Sequence, residues 1–200
     1  MKSPMLVNAT FFFLFVFLLA TTLPSTKAIN LIDADGNAMV SGLSYYMIPV
    51  ANGNGGGITL GQTGGDTCPL TILQDADSSS TGLPVKLSDM GGIYHVEQDS
   101  PIRLEFVGNN VPSCVPSPAL WGQVDQNLKI VNSVTDFRFQ ESAPDKTTYV
   151  ISECLHYDVF QCSRVKSVDK KLVVSTSGKP LVVKFKRAYV NSERDSWSIV

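Results

Sequence analysis

The sequence predicts an all-β protein, and three observations lead to this fold class. Short runs of alternating or β-branched apolar residues recur along the chain, as in YYMIPV at 45–50 and IRLEF at 102–106. The segments between these runs are rich in Gly, Asn, Asp, Ser and Pro, which favour turns. No stretch carries apolar residues at helical spacing over ten or more positions. Because so many short strands must protect their edges, we expect a closed or nearly closed sheet.

Eleven strands are predicted from these runs, each ending where turn residues begin. They cover residues 45–50, 58–60, 70–74, 85–87, 102–106, 121–125, 128–130, 137–140, 148–154, 172–175 and 181–186.

Residues 1–28 are predicted to be a secretory signal peptide. Lys2 precedes the apolar run FFFLFVFLLA, and TTLPSTKA ends in small residues that favour cleavage after Ala28. A membrane anchor is the alternative, but the run is shorter than the roughly 18 apolar residues that span a bilayer. We therefore expect a secreted, extracellular protein without membrane attachment.

The charge of the remaining 172 residues argues against nucleic-acid binding. They carry 14 Lys and Arg against 18 Asp and Glu, since residues 1–28 take two lysines and no acidic residue. Affinity for phosphate backbones comes from clustered cations. The densest basic run, KFKR at 184–187, alternates with apolar residues as an exposed strand face does.

Four cysteines, an even number in a chain predicted to be secreted, indicate two disulfides. Three pairings are possible. Cys154 and Cys162 flank a strand, a short loop and a strand, so the local pair is favoured, which leaves Cys68 with Cys114. Zinc binding by the cysteines is the alternative interpretation, but there is no C-x-x-C spacing and only two histidines are present. We expect neither a metal nor a cofactor.

The opening segment LIDADGNAMVSGLSYYMI resembles the signature of the Kunitz-type soybean trypsin inhibitor family. GGGITLGQTGGDTCPLTILQ, GLPVKLS, a segment around Trp121, the small cysteine loop and KKLVVSTSGKPLVVKF follow in the family's order. The resemblance covers roughly residues 30–185. It implies a β-trefoil of twelve strands in three pseudo-repeats, with six strands in a barrel and six in capping hairpins. It also implies the same two disulfides.

The resemblance further implies substrate-like inhibition of a serine endopeptidase by an exposed loop that enters the protease cleft in extended form. The flanking segments GLPVKLS and SPIRLEF place this reactive loop at SDMGGIYHV, with Met90, Gly91, Gly92, Ile93 and Tyr94 at its tip. The scissile bond would follow Gly92. Family members that inhibit trypsin carry Arg or Lys there, so we expect weak or no trypsin inhibition through this loop. A shift of one or two places would present Gly91 or Met90, which suits an elastase-like or chymotrypsin-like target.

Ser41 takes the position at which the family often has an asparagine that braces the reactive loop. Because serine is shorter, we expect weaker support from it. A second binding loop is also considered, with Tyr157 and Phe160 inside the cysteine ring and Arg164, Lys166, Lys170 and Lys171 in RVKSVDKK as possible basic anchors. A solvated loop is the alternative for each segment.

Two other classes of function compete with inhibition. The first is a non-inhibitory trefoil that serves as a storage or defence protein, or that binds a protein or a carbohydrate. The second is an enzyme, which we do not expect. Ser163, His156 and Asp158 are close in sequence, but they lie at a disulfide-closed loop without a nucleophile elbow.

The predicted domains are the signal peptide at 1–28, one inhibitor domain at 29–186 and a disordered tail at 187–200. The tail could instead be a vacuolar sorting signal, which makes the vacuole the alternative destination. We expect a monomer whose partner is a secreted or vacuolar endopeptidase.

Overall fold

The computed structural model describes residues 29–50, 55–142, 146–155 and 158–189. It contains twelve β-strands and, within these ranges, no helix. The strands are β1 (Ser44–Pro49), β2 (Ile58–Gly61), β3 (Thr71–Gln74), β4 (Pro84–Asp89), β5 (Ile102–Phe106), β6 (Ala119–Val124), β7 (Asn127–Val131), β8 (Asp136–Glu141), β9 (Tyr149–Leu155), β10 (Asp158–Val168), β11 (Lys171–Ser175) and β12 (Val182–Arg187).

Six of these strands close into a barrel. Antiparallel pairing runs from β1 to β4, β5, β8, β9 and β12, and β12 pairs with β1 again. The circle leaves no barrel strand with a free edge, which is how closed β proteins avoid edge-to-edge association.

The other six strands form three hairpins, β2–β3, β6–β7 and β10–β11. Strands β3, β7 and β11 each contact the other two, so the hairpins form a triangular cap. The chain passes through barrel and cap three times, four strands at a time. This is the predicted β-trefoil with its three pseudo-repeats.

The barrel is filled by the inward-facing residues of its strands, as the alternating burial of β5 illustrates. Phe185 lies at the centre of an aromatic cluster. Its ring centroid is 5.1 Å from that of Phe139, 5.8 Å from that of Tyr149 and 6.3 Å from that of Tyr45. Phe185, Tyr45, Tyr149 and Phe139 are almost fully buried. The hydroxyls of Tyr45 and Tyr149 accept hydrogen bonds from the amides of Val40 and Ile32, so the cluster is joined to the N-terminal segment.

Both predicted disulfides form. Cys68 pairs with Cys114 and Cys154 pairs with Cys162, and no described cysteine is free. The second bridge joins directly opposed residues of β9 and β10.

Strand β10, the longest strand among the described residues, is not one of the eleven strands predicted from the sequence. It includes Arg164 and Lys166, which had been assigned to a possible second binding loop. Both lie in regular pairing, with Lys166 opposite Val173 of β11. The assignment of Lys166 to a loop is therefore wrong. Most residues of this strand are polar, and among its described side chains only that of Val165 is buried. The alternation of apolar and polar residues that predicts a strand is therefore weak here.

The last described strand extends one residue beyond the predicted domain boundary at residue 186. Strand β12 includes Arg187, and the amide of Ala188 donates to the carbonyl of Ser44 at 2.9 Å. The predicted signal peptide and residues 190–200 of the predicted tail lie outside the described residues. Within the described ranges, no helix has the length and apolar character needed to cross a bilayer.

Candidate binding loop

The connection between β4 and β5, residues 90–101, lies at the end of the barrel opposite the cap. Its base is regular: Asp89 pairs with Ile102, and the amide of Met90 donates to the carbonyl of Pro101 at 3.1 Å. The ladder ends there because Gly91 and Gly92 follow. We call residues 90–94 the loop tip.

The carboxylate of Asp89 shapes the loop tip. Its Oδ1 accepts hydrogen bonds from the amide of Gly91 at 2.8 Å and from the amide of Ile93 at 3.0 Å. Between these two amides Gly92 has φ +77°, a left-handed conformation that glycine adopts without steric cost. The tip is therefore a compact turn around one carboxylate.

This turn differs from the extended loop that the family resemblance implies. An extended residue has φ between about −60° and −160°, and Gly92 lies on the other side of the map. The reason is local, because a side chain at position 92 would disfavour this φ and glycine does not. Gly92 has no Cβ, and Asp89 supplies the acceptor that holds the turn closed.

Ser41 braces the loop from the N-terminal segment. Its Oγ accepts a hydrogen bond of 2.8 Å from the amide of Asp89, and its own amide donates to the carbonyl of Tyr94 at 2.8 Å. Ser41 thus contacts the loop on both sides of the tip, although its side chain does not reach Gly92. An isolated bridge between Val40 and His95 extends this contact.

The N-terminal segment that carries Ser41 is itself held in place by two buried side chains. The amide of Val40 donates to the hydroxyl of Tyr45 at 2.8 Å, and burial raises the pKa of that hydroxyl. Asp33 is buried, and its Oδ1 accepts from the amides of Asp35 at 3.0 Å and Asn37 at 2.9 Å. The two residues are part of the opening sequence signature, so that signature contributes to the support of the loop.

The loop tip presents apolar side chains to solvent. Tyr94 is 69% exposed and Ile93 is 40% exposed, while Met90 is partly buried. The ring of Tyr94 packs edge-on against His95, with the centroids 4.9 Å apart. No Lys or Arg occurs between positions 88 and 99. The tip therefore offers a protein partner an apolar surface without a cation.

The structure brings together the six residues predicted for the main site: Ser41 and the five residues of the loop tip. The structure does not place the residues predicted for the second binding loop in one loop. Lys166 and Phe160 both belong to strand β10. Tyr157 lies outside the described residues. Lys170 occupies the β10–β11 turn with φ +67°.

Asp89 is the site residue that sequence reasoning missed. The signal was present, because Asp followed by Met-Gly-Gly fits a turn in which an aspartate accepts from the amide two residues on. In the part of the chain that the structure describes, no group of three or more His, Cys, Asp or Glu could hold a metal ion. The exposed apolar tip and its bracing by Ser41 make the loop suited to contact with another protein.

Comparison with known proteins identifies relatives with this architecture. The sequence model of the Kunitz legume family, described as trypsin and protease inhibitor, matches residues 31–187. A trypsin inhibitor of Leucaena leucocephala is 33% identical over 172 residues, which cover 79% of this chain and 96% of the relative. The chymotrypsin inhibitor ECI of Erythrina variegata is 32% identical over 139 residues, which cover 64% of this chain and 76% of the relative.

A solved structure agrees with the sequence comparisons. Soybean trypsin inhibitor, in its complex with porcine pancreatic trypsin, superposes with a TM-score of 0.69 at 25% identity. The match covers 80% of this chain and 99% of the soybean chain.

Proposed function

The chain belongs to the Kunitz family of legume trypsin and protease inhibitors, and from this we propose that it blocks a serine-type endopeptidase with its β4–β5 loop. We propose further that the target accepts an apolar side chain in its specificity pocket. The relatives include inhibitors named for trypsin and for chymotrypsin, so the scaffold is compatible with either preference.

The observation that carries the proposal is the exposure of Ile93 and Tyr94 on a braced loop. A protease inhibitor needs a dominant anchor side chain that fills a pocket on the partner. Tyr94 is suited to this role because it is largely exposed, because its carbonyl is fixed by Ser41, and because its ring packs on His95. An aromatic anchor with few rotatable bonds loses little entropy on docking.

Trypsin is a poor target for the same loop. Its pocket pairs a carboxylate with a basic side chain, and Gly92 has no side chain to offer. Docking in an extended form would also require Gly92 to leave its left-handed conformation and would break the two hydrogen bonds to Asp89. Each such bond contributes about 0.5–1.5 kcal/mol, which would be subtracted from the binding free energy. This cost applies to every protease that binds the loop in an extended form, and for trypsin no cation on the tip offsets it.

The proposal is tested by titrating the purified protein against trypsin, chymotrypsin, elastase, subtilisin and papain. We expect stoichiometric inhibition of chymotrypsin or elastase, and weak or no inhibition of trypsin. Tyr94→Ala and Ile93→Ala are each expected to raise the inhibition constant about tenfold or more, as the loss of a hot-spot anchor does.

Tyr189→Ala is the matched control, since Tyr189 is 88% exposed and lies outside the loop. It should leave inhibition unchanged. Inhibition that survives both loop substitutions would move the binding surface elsewhere. No inhibition of any protease in the panel would favour the alternative function, a non-inhibitory storage, defence or binding protein.

We also propose that the protein is secreted to the apoplast, acts as a monomer and has no catalytic activity of its own. The charged, apolar and small-residue segments of residues 1–28 support secretion, and two disulfides suit an oxidising compartment. The vacuole is the alternative destination. Expression of tagged forms with and without residues 190–200 would distinguish the two, since a change in delivery would assign sorting information to the tail.

A further inference from the structure

Two arginines lie in one transverse row on the outer face of the sheet. Arg138 of β8 is directly opposite Ser152 of β9, and Ser152 is directly opposite Arg164 of β10. Directly paired residues project to the same side of a sheet, and adjacent strands are about 4.8 Å apart. The two arginine side chains therefore project from either side of Ser152, which is 6% exposed.

Asp99, near the end of the β4–β5 connection, contacts Arg138 and Gln140 beside this row. Its carbonyl accepts a hydrogen bond from Nη1 of Arg138, and its Oδ1 accepts from Nε2 of Gln140 at 2.9 Å. Asp99 has φ +60°, an uncommon conformation for a residue with a side chain, and these contacts help to hold it. The result is a cavity of about 330 Å³, lined by Asp99, Arg138, Gln140, Ser152, Cys162 and Arg164.

The lining of the cavity has an excess of positive charge. Two guanidinium groups face one carboxylate, and that carboxylate already accepts a hydrogen bond from Gln140. Arg164 forms no ion pair with any side chain that the structure describes, and Nε of Arg138 is buried without a hydrogen-bond partner among them. Asp136 lies two residues before Arg138 on the same strand face, but it does not line the cavity.

We propose that this cavity binds a tetrahedral oxyanion, a sulfate or a phosphate group. The planar guanidinium of arginine presents donors in a fork that matches such oxygens, and charge-assisted hydrogen bonds are about twice as strong as neutral ones. Ser152 and Gln140 add neutral donors between and beside the arginines. Since Lys166 is the next outward residue of β10, further positive charge lies along the same strand.

The size of the cavity bears on the source of the oxyanion. A water molecule occupies about 30 Å³ of liquid, so 330 Å³ is larger than a bare ion requires. The volume is at the lower end of the range for small-molecule pockets, about 300–1,000 Å³. The oxyanion can thus be a free ion or an ester group on a small polar molecule such as a sugar phosphate.

The test is an NMR titration of the folded protein that follows the Nε–H resonances of its arginines. Sodium sulfate, inorganic phosphate and glucose 6-phosphate are added at constant ionic strength, with sodium chloride as the reference. We expect saturable shifts at Arg138 and Arg164 but not at Arg103 or Arg187. Tighter binding of glucose 6-phosphate than of inorganic phosphate would assign a carried ester, and equal binding would assign the free ion.

Substitution separates a built site from general attraction of anions. Arg164→Gln should weaken sulfate and phosphate binding about tenfold or more, since a hydrogen bond to a charged group contributes about 1.5–3 kcal/mol. Arg187→Gln removes the same charge from β12 and should leave binding unchanged. Equal responses to chloride and sulfate, or the same affinity in Arg164→Gln and the wild type, would overturn the proposal. The wild-type titration decides this even if a variant fails to fold.

Discussion

The backbone amide of Asp89 donates a hydrogen bond of 2.8 Å to Oγ of Ser41, although 48 residues separate the two in the chain. The carboxylate of Asp89 in turn holds the amides of Gly91 and Ile93. Asp89 therefore links the N-terminal segment to the first half of the loop tip, while the bond from the amide of Ser41 to the carbonyl of Tyr94 links it to the second half. The shape of the tip depends on this carboxylate because both glycines are exposed and contribute no side-chain packing.

Replacing Asp89 by alanine should release the loop tip without unfolding the barrel. The amides of Gly91 and Ile93 would lose their acceptor, so their hydrogen exchange should accelerate about two- to tenfold, as expected for bonds worth about 0.5–1.5 kcal/mol. Inhibition should weaken where the target binds the tip in its compact turn, because a mobile tip loses more entropy on docking. It should strengthen where the loop docks in an extended form, because the two hydrogen bonds no longer have to be broken. Hydrogen-exchange NMR and inhibition assays on the same sample measure both effects.

Two variants control this experiment. Asp89→Asn keeps an acceptor oxygen and should retain part of the protection. Asp77→Ala removes a similar acceptor from another loop, where Oδ1 of Asp77 accepts from the amide of Ser79 at 2.9 Å, and should leave inhibition unchanged. Unchanged protection of Gly91 and Ile93 in Asp89→Ala would show that the turn does not depend on the carboxylate.

A strand could be predicted from the sequence where one of its faces is buried and the other is exposed, because apolar and polar residues then alternate. In β5 every second residue is buried, and the sequence analysis gave its bounds correctly as 102–106. Strand β10 was missed because its outward face carries charge and its inner face is only sparsely apolar. Its extended conformation is held by backbone pairing with β9 and β11. The side-chain pattern within the strand does not show this pairing.

The position of the loop tip was predictable, but its conformation was not. Flanking segments fixed the position, since the tip lies between two regular strands. The turn around Asp89 results from three hydrogen bonds, two of them local and one to Ser41, a residue distant in sequence. The sequence also gave no sign of the cavity between Arg138 and Arg164, which requires the register of three strands.

Glu153 is expected to destabilise the fold at neutral pH. It lies on β9 opposite the buried Phe137, and burial raises the pKa of its carboxyl, with a further contribution from the charge of Asp136. A pKa raised in the folded state favours folding below the unfolded value, and this contribution is lost as the pH rises through the folded value. Glu153→Gln should therefore raise the melting temperature at about pH 7 and lose that advantage near pH 4.

Glu105→Gln is the control for the effect of charge alone. Glu105 lies on β5 and is only partly buried. Its replacement should change the melting temperature little at either pH. A lower melting temperature for Glu153→Gln than for the wild type at neutral pH would contradict the assignment of Glu153 as a destabilising charge.

The two disulfides should differ in their contribution to stability. The Cys68–Cys114 bridge closes a separation of 46 residues and the Cys154–Cys162 bridge a separation of 8. In the chain-entropy model the first contributes about 4 kcal/mol and the second about 2.5 kcal/mol. Paired replacement of each bridge by alanine, followed by denaturant unfolding, measures the difference. A larger loss for the shorter loop would show that packing around Cys154, which is buried, outweighs chain entropy.

Gly92→Arg should create trypsin inhibition if a protease docks on the β4–β5 loop. A Cβ built at Gly92 meets no atom within 4 Å, so the new side chain would extend into solvent. The left-handed φ of +77° would cost an arginine about 1–2 kcal/mol, which favours opening of the compact turn. Trypsin inhibition should improve about tenfold or more over the wild type, because the guanidinium supplies the charge that the pocket of trypsin pairs with.

Two further variants separate the charge from the strain at this position. Gly92→Ala carries the strain without the cation, so it should lower the melting temperature by a few degrees and leave trypsin uninhibited. Gly65→Arg places a cation in another loop where a Cβ also meets no atom within 4 Å, but without a left-handed φ. Trypsin inhibition by Gly65→Arg as strong as by Gly92→Arg would mean that charge alone is recognised. Inhibition by Gly92→Arg alone would identify the loop tip as the surface that enters the protease.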